Sequence, residues 1–126
     1  MTNVLVVGYG TIGQRLADGV SLQDDMKLVG VVDASMSLGI RALKEKGMPY
    51  DLYAVSEETR ADFEKNGIPV CGLVEEALQK TDVVLDATSA GVGAKNKELY
   101  KKYGVKAIFQ GGEKNLFAVL LHKTAG

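Results

Sequence analysis

Six residues, Gly8-Tyr9-Gly10-Thr11-Ile12-Gly13, constrain the fold of this chain more than any other stretch of its sequence. They follow an apolar run, Val4 to Val7, and lead into a segment in which apolar residues recur at helical spacing, Ile12 to Val20. A strand, a glycine turn and a helix in this order are typical of a dinucleotide-binding loop. The alternative is a glycine-rich turn between a strand and a helix that binds no ligand.

Each glycine of the pattern has its own role in such a loop. Gly8 would allow a tight turn, Gly10 would let a diphosphate approach the backbone, and Gly13 would let the helix pack closely on the strand. The phosphates would lie at the N-terminus of the helix, where unpaired N–H groups and the helix dipole favour negative charge. The pattern therefore predicts these three glycines as cofactor-binding residues.

A carboxylate follows at the position that such a site requires. A second apolar run, Leu28 to Val32, ends at Asp33, which lies 20 positions after Gly13. A carboxylate there accepts hydrogen bonds from the adenosine ribose and repels a 2′-phosphate, and the first basic residue after it is Arg41. Asp33 therefore favours NAD over NADP, unless it only caps a helix or lies on the surface.

Composition sets outer limits on the function. The chain has 126 residues, a formal net charge of −1 and one cysteine. A single domain, residues 1–126, is expected from this length. The charge does not favour nucleic acid as a partner, no apolar run is long enough for a membrane span, and the single cysteine fits a reducing compartment. We therefore expect a cytoplasmic protein without a nucleic-acid or membrane partner.

Strands alternate with helices along the whole chain. This alternation predicts an α/β fold, a doubly wound parallel sheet of the Rossmann type with about five strands in the order 3-2-1-4-5. Ser35 or Ser37 is expected to cap the second helix, and Ser56 the third. The predicted strands are 3–7, 27–33, 52–55, 82–86 and 106–110, and the predicted helices cover 11–22, up to 46, up to 65, 73–79 and up to 103.

Four loops should meet beyond the carboxyl ends of the strands, where ligands of such sheets bind. They are the glycine loop and the segments 33–35, 87–93 and 110–112. The small residues from Ala87 onward permit close approach of a cofactor, which makes Ala87 and Thr88 candidate contacts. Thr88 and Ser89 could instead only cap the next helix.

Other reactive side chains are interpreted as structural. Cys71 precedes the fourth predicted strand, which places it at the amino ends of the strands, opposite the side where ligands bind. It is expected to be a small packed residue. His122 is expected on the surface, and Asp86 is expected to be structural rather than a catalytic acid. Tyr9 is expected to face the cofactor site. One cysteine and one histidine do not make a metal cluster of the usual kind.

Several stretches of the chain form a recognisable set: 7–15, Asp18, 20–26, 63–64, 67–70, 106–108 and 110–114. Together they resemble the archaeal-type (class II) phosphorylating glyceraldehyde-3-phosphate dehydrogenases. The resemblance implies that an aldehyde is oxidised through a cysteine thiohemiacetal, with hydride transfer to NAD or NADP. It also implies that the backbone of Thr11 and Ile12 contacts the cofactor phosphates and that Gly111 lies against the cofactor.

The chain departs from that family in two places. Family members often carry Lys-Thr where this chain has Asp33-Ala34, so NADP use is less expected here. The catalytic Cys-Asn-Thr-Thr-Gly motif is absent, and residues 115–126 do not match the family. We therefore expect the NAD-binding domain of such an enzyme, with no catalytic residue of its own.

The sequence leaves two alternative functions open and also bears on assembly. The chain could be a non-enzymatic NAD-binding or sensing module, or part of another Rossmann oxidoreductase that acts on a semialdehyde. A domain that normally packs against a substrate domain would expose apolar surface, which residues 116–121 could supply. We therefore expect self-association into a homo-oligomer, or a repositioned C-terminal segment.

Overall fold

The computed structural model describes residues 1–109 of the chain. Within these residues six strands alternate with five helices; the alternation was predicted from the sequence, with one strand fewer. The strands are β1 (Thr2–Val7), β2 (Met26–Asp33), β3 (Leu52–Ala54), β4 (Gly72–Leu73), β5 (Val83–Asp86) and β6 (Lys106–Phe109). The helices are α1 (Thr11–Ser21), α2 (Leu38–Glu45), α3 (Glu57–Lys65), α4 (Val74–Leu78) and α5 (Ala90–Lys102).

The six strands form one parallel sheet in the order β4-β3-β2-β1-β5-β6. The five strands expected from the sequence are β1, β2, β3, β5 and β6, and their predicted order is confirmed. The sequence pattern did not predict β4, a two-residue edge strand in which Gly72 pairs with Tyr53 and Leu73 pairs with Ala54. Predicted as the start of a helix, Leu73 belongs to this strand and α4 begins one residue later.

Helices cover both faces of the sheet because its central strands are apolar on both sides. Val4 and Val6 of β1 belong to one core cluster, and Leu5 and Val7 belong to the other. Side chains of α1, α2 and α3 complete the first cluster, and side chains of α4 and α5 complete the second. Buried strands of this kind are typical of parallel sheets, in which both faces are shielded from water.

Serine caps begin two of the helices. The Ser37 hydroxyl accepts a hydrogen bond from the amide of Ile40, and Ser56 accepts one from the amide of Thr59. The sequence predicted Ser56 correctly and left Ser35 and Ser37 open, and the structure selects Ser37. These caps satisfy amide groups that have no partner within their own helix.

Two side chains are more exposed than the sequence suggested. Ile12 is 37% exposed rather than part of the buried face of α1, which is formed by Gly13, Leu16, Ala17 and Val20. Cys71 is exposed rather than packed. Its amide donates to the carbonyl of Leu52 over 2.8 Å, at the amino end of β3, so the prediction that it lies at the other edge of the sheet is confirmed.

None of the helices within residues 1–109 combines the length and the apolar character that a membrane crossing would need.

Candidate dinucleotide-binding site

Three of the predicted loops start side by side at the carboxyl edge of the sheet. Val7, the last residue of β1, pairs with Val32 of β2 on one side and with Asp86 of β5 on the other. The residues that follow these three, Gly8, Asp33 and Ala87, therefore lie side by side, with Asp33 as the last residue of β2. The crevice between β1 and β5, where the sheet changes its direction of winding, is the general ligand position in this kind of fold.

Gly8 makes the tight turn that follows β1. Its φ of +90° lies in a region that residues with a side chain rarely adopt. A Cβ there would also lie 2.9 Å from Cγ2 of Thr88 and 3.0 Å from the amide nitrogen of Thr88. The glycine loop and the loop after β5 are therefore in direct contact, and only a glycine permits this contact.

Gly10 and Gly13 have opposite surroundings. Gly10 is exposed, and an added Cβ would meet nothing within 4 Å. An added Cβ at Gly13 would lie 1.9 Å from the carbonyl oxygen of Gly8. The space beside Gly10 is open to a ligand, whereas the space beside Gly13 is filled by the strand end against which α1 packs.

The N-terminus of α1 presents unpaired amides to this open space. The first backbone hydrogen bond of the helix runs from the amide of Gln14 to the carbonyl of Gly10 over 2.9 Å, so the amides of Thr11, Ile12 and Gly13 have no partner within the helix. No side chain caps the helix, and no acidic residue lies in its first turn. Such an end favours a bound anion.

Asp33 is held in place by two donors. Its Oδ1 accepts a hydrogen bond from the amide of Ala34 at 2.7 Å, and its Oδ2 accepts one from the hydroxyl of Ser37 at 3.0 Å. A carboxylate offers about four acceptor positions, so these two bonds leave positions for further donors such as ribose hydroxyls. The side chain is partly exposed and does not cap α2 itself, because Ser37 does.

The backbone of Ala87 and Thr88 lies against the glycine loop. The amide of Ala87 donates to the carbonyl of Val7 over 2.8 Å. The amide and the hydroxyl of Thr88 both donate to Oδ1 of Asp86. Ser89 is the N-cap residue of α5 but makes no side-chain capping bond. The structure therefore shows no hydroxyl cap from either Thr88 or Ser89.

Asp86 is a structural centre for the second side of the site. The carboxylate is 1% exposed, and its Oδ2 accepts hydrogen bonds from Asn96 at 3.1 Å and from the Tyr100 hydroxyl at 2.5 Å. Burial, and then the bond to Asp86, raise the pKa of Tyr100 well above its ordinary value. The carboxylate thus holds the loop after β5 through Thr88 and holds α5 through Asn96 and Tyr100, as the structural role expected for it requires.

Tyr9 does not face the cofactor site, and that expectation is wrong. Its side chain is 4% exposed and belongs to the core cluster that α1 and α2 share. Burial, followed by the negative charge of Asp18, raises the pKa of Tyr9 to about 12. The ring turns inward because an apolar core lies directly beneath the glycine loop, so Tyr9 anchors the loop instead of lining it.

Two residues that shape the site were not among the predicted site residues. Ser37 was considered only as a helix cap, yet it also holds Asp33. The sequence pattern does not single out Gly39, although a Cβ there would lie 1.8 Å from the carbonyl oxygen of Tyr9. The contact of Ser37 with Asp33 could have been predicted from their four-residue spacing. Nothing in the sequence distinguishes Gly39 from the other glycines among the fifteen of the chain.

Two predicted residues lie outside the described part of the chain. Gly111, with its neighbours 110 and 112, and His122 follow residue 109. The strand that precedes them is described: Phe109, the last residue of β6, pairs with Asp86.

A groove of about 740 Å³ lies at the opposite end of the sheet, where the strands begin. It is lined by the amino ends of β1, β5 and β6, including Thr2, Val83 and Lys106. The glycine loop and Asp33 are at the carboxyl ends of the strands, so this groove is separate from the candidate site. Within residues 1–109, no group of three or more His, Cys, Asp or Glu side chains could hold a metal ion.

The chain matches a family model over most of its length. Residues 2–111 match the family described as dihydrodipicolinate reductase, N-terminus. The chain belongs to this family. The glycine loop, Asp33 and the whole sheet lie within the matched residues, and the family agrees with the α/β fold described above.

Curated relatives confirm the resemblance found in the sequence. The chain is 51% identical over 115 residues to a glyceraldehyde-3-phosphate dehydrogenase of Methanothermobacter thermautotrophicus, covering 91% of this chain and 34% of the relative. It is 53% identical over 107 residues to the enzyme of the same name from Thermococcus kodakarensis, covering 85% of this chain and 31% of the relative. The chain thus spans about a third of the length of these archaeal relatives.

Solved structures agree on the fold. An NAD-binding protein from Listeria innocua aligns with a TM-score of 0.50 at 20% identity, covering 86% of this chain and 26% of that one. Saccharopine dehydrogenase from Saccharomyces cerevisiae aligns with a TM-score of 0.57 at 16% identity, covering 95% of this chain and 24% of that one. At these identities the likeness concerns the fold alone.

Proposed function

We propose that this chain binds NAD across the crevice between β1 and β5 and forms the cofactor domain of a glyceraldehyde-3-phosphate dehydrogenase. The family and the dehydrogenase relatives support NAD as the cofactor. One observation carries the proposal: the open N-terminus of α1 and the oriented carboxylate of Asp33 lie at the same end of the sheet, where the strands end.

The diphosphate would be held by the glycine loop. Gly10 leaves room for it, and the amides of Thr11, Ile12 and Gly13 would donate to its oxygens. Gly8 and Gly13 act indirectly, because they allow the turn and the close packing that aim these amides. Five residues of this loop thus take part: Gly8, Gly10, Thr11, Ile12 and Gly13.

The remaining contacts would come from the loops on either side. Asp33 would accept hydrogen bonds from the adenosine ribose and so select NAD over NADP. Ala87 and Thr88 would border the other part of the cofactor through their backbone, since the Thr88 hydroxyl is bonded to Asp86. We place Gly111 against the cofactor on the strength of the family resemblance alone.

We further propose that this chain binds NAD without oxidising an aldehyde. NAD would supply the hydride acceptor, but aldehyde oxidation also needs a thiolate beside it. Cys71, the one cysteine of the chain, is an exposed residue at the amino ends of the strands. Partial desolvation, followed by the nearby Asp51 carboxylate, raises the pKa of its thiol. A raised pKa disfavours the thiolate at neutral pH.

Cellular setting and assembly follow the same reasoning. We propose a cytoplasmic protein that associates with copies of itself and has neither nucleic acid nor membrane as a partner. The net charge of −1 and the single cysteine support this setting. The proposal that the chain binds NAD without catalysis would be overturned by aldehyde-dependent NADH production by the purified chain. The alternative function, an NAD-sensing module, makes the same prediction of binding without catalysis.

The site itself is tested by the substitution Gly10→Ala. No atom lies within 4 Å of the added methyl group and φ is −82°, so the protein should fold, with a loss of about 1 kcal/mol at most from the altered cap. The methyl group would project into the space proposed for the diphosphate. Isothermal titration should show NAD binding at least tenfold weaker than that of the wild type.

The matched control is Gly19→Ala, which adds the same methyl group to α1 where nothing lies within 4 Å and no ligand is proposed. It should leave NAD affinity unchanged. Equal NAD affinity of Gly10→Ala and the wild type would contradict the proposed site.

A further inference from the structure

We propose that the first turn of α2 sets the position of the Asp33 carboxylate relative to the glycine loop, so that Ser37 and Gly39 are positioning residues for cofactor selectivity. Neither residue needs to touch the cofactor. The inference rests on the proposed NAD site, and its experiments are arranged so that the two can fail separately.

Gly39 brings α2 into contact with the backbone of the glycine loop. It is the second residue of α2 and is buried. An added Cβ would lie 1.8 Å from the carbonyl oxygen of Tyr9 and 3.0 Å from Nε2 of Gln14. The glutamine side chain could move aside, but the carbonyl belongs to the backbone. Any larger residue at position 39 must therefore separate α2 from the glycine loop.

Neither partner of this contact is free to move alone. The Tyr9 side chain is 4% exposed and shares a core cluster with Leu16 of α1. On the α2 side, Ile40 and Leu43 are 0% and 1% exposed and belong to the same cluster. Because protein cores are densely packed, a shift of α2 against the loop would be a defined displacement and not a local adjustment.

Ser37 transmits the position of α2 to the carboxylate. As the N-cap residue, it accepts a hydrogen bond from the amide of Ile40 at 3.3 Å. The same hydroxyl donates to Oδ2 of Asp33 at 3.0 Å. A single hydroxyl group thus joins the helix end to the carboxylate, and moving the helix would break or redirect its bond to Asp33.

This connection affects NAD and NADP differently. Both cofactors would use the glycine loop for their diphosphate, but only NAD would benefit from a correctly oriented carboxylate at the ribose. A displaced α2 would therefore weaken NAD binding more than NADP binding. The ratio of the two dissociation constants reports this effect, whereas a general loss of stability in a protein that remains folded would not change it.

The first experiment compares Gly39→Ala with Gly19→Ala by titration with NAD and NADP. The Gly39→Ala protein should bind NAD at least tenfold more weakly, with the preference for NAD over NADP reduced at least threefold. Gly19→Ala should keep both values. Without any nucleotide, the amide NMR signals of Gly10 and Thr11 should shift in Gly39→Ala and stay in place in Gly19→Ala.

The second experiment does not depend on whether Gly39→Ala folds. Ser37→Ala removes the N-cap of α2 together with the bond to Asp33, and Ser56→Ala removes the N-cap bond of α3. Both should lower the melting temperature by similar amounts, but only Ser37→Ala should lower the preference for NAD.

The outcomes separate the two proposals. A wild-type preference for NAD in Ser37→Ala would overturn the positioning role of Ser37, and unchanged NMR signals of Gly10 and Thr11 in a folded Gly39→Ala would overturn that of Gly39. Failure of the wild-type chain to bind either cofactor would refute the proposed function, and the NMR comparison would still decide whether α2 positions the loop.

Discussion

At the scale of single residues, one short loop gives three glycines three different surroundings. Gly8 has a positive φ, Gly10 borders open space, and Gly13 packs against a carbonyl oxygen. The sequence spacing predicted these roles because each follows from where a strand must turn and where a helix must begin. The surroundings of each glycine therefore suggest which substitutions should affect folding and which should affect only binding.

The carboxylate at position 33 gives the first prediction at this scale. Asp33→Asn keeps the size of the side chain but removes the negative charge. Repulsion between that charge and a 2′-phosphate at 4 Å is about 1–4 kcal/mol, depending on the effective dielectric constant. NADP should therefore bind at least fivefold more tightly to Asp33→Asn than to the wild type, while NAD binds more weakly. Competition titration of both proteins measures this, and unchanged NADP affinity would contradict the role of Asp33.

Tyr9 gives a prediction about pH. Its pKa is raised from 10.0 to about 12 in the folded protein, so the folded state retains the phenolic proton more strongly than the unfolded state does. The resulting stabilisation is complete below pH 10 and is lost as the pH rises through 12. Urea unfolding between these pH values should show a steeper loss of stability in the wild type than in Tyr9→Phe. Parallel pH profiles of the two proteins would argue against a buried phenol at this position.

At the scale of whole elements, the buried carboxylate of Asp86 links α5 to the sheet by hydrogen bonds. The Tyr100 hydroxyl, on a side chain that is 2% exposed, donates to Asp86. Tyr100→Phe should lower the free energy of unfolding by about 2 kcal/mol, because a buried acceptor loses one donor. Tyr103→Phe, at the end of the same helix on a half-exposed side chain, is the matched control and should change stability by less than about 0.5 kcal/mol. Equal urea curves for both variants would contradict the importance of this bond.

The order of the elements could be predicted, but the smallest of them could not. Long apolar runs and helical spacing gave five strands and their order. In contrast, β4 has only two residues, Gly72 and Leu73, and no periodicity can show in so short a segment. It forms because the chain passes beside the free edge of β3, a neighbour that is 18 or more residues away in sequence.

The same limit applies to the candidate site. The turn after β1 and the acid at the end of β2 follow local rules, so the sequence predicted their positions. The inward turn of Tyr9, the contact of Gly39 and the exposure of Cys71 depend on how α2 and β3 pack against the rest of the domain. No local pattern reports such packing, and for this reason Tyr9 and Cys71 were misjudged.

At the scale of the whole molecule, the carboxyl edge of the sheet carries apolar side chains around the candidate site. Of the six exposed large apolar residues within 1–109, four lie at this edge: Ile12, Leu38, Val55 and Val92. Exposed apolar surface favours association, in keeping with the proposal of a homo-oligomer. Sedimentation velocity over a range of concentrations should therefore show species larger than a monomer, and a strictly monomeric profile would contradict it.

The central claim is that one edge of this sheet recognises a diphosphate and an unphosphorylated ribose together. Side-by-side calorimetric titration of the purified wild-type chain with NAD and NADP tests it most directly. NAD should bind with at least a tenfold preference, which corresponds to about 1.4 kcal/mol. Tighter binding of NADP, or no binding of either nucleotide, would contradict the account.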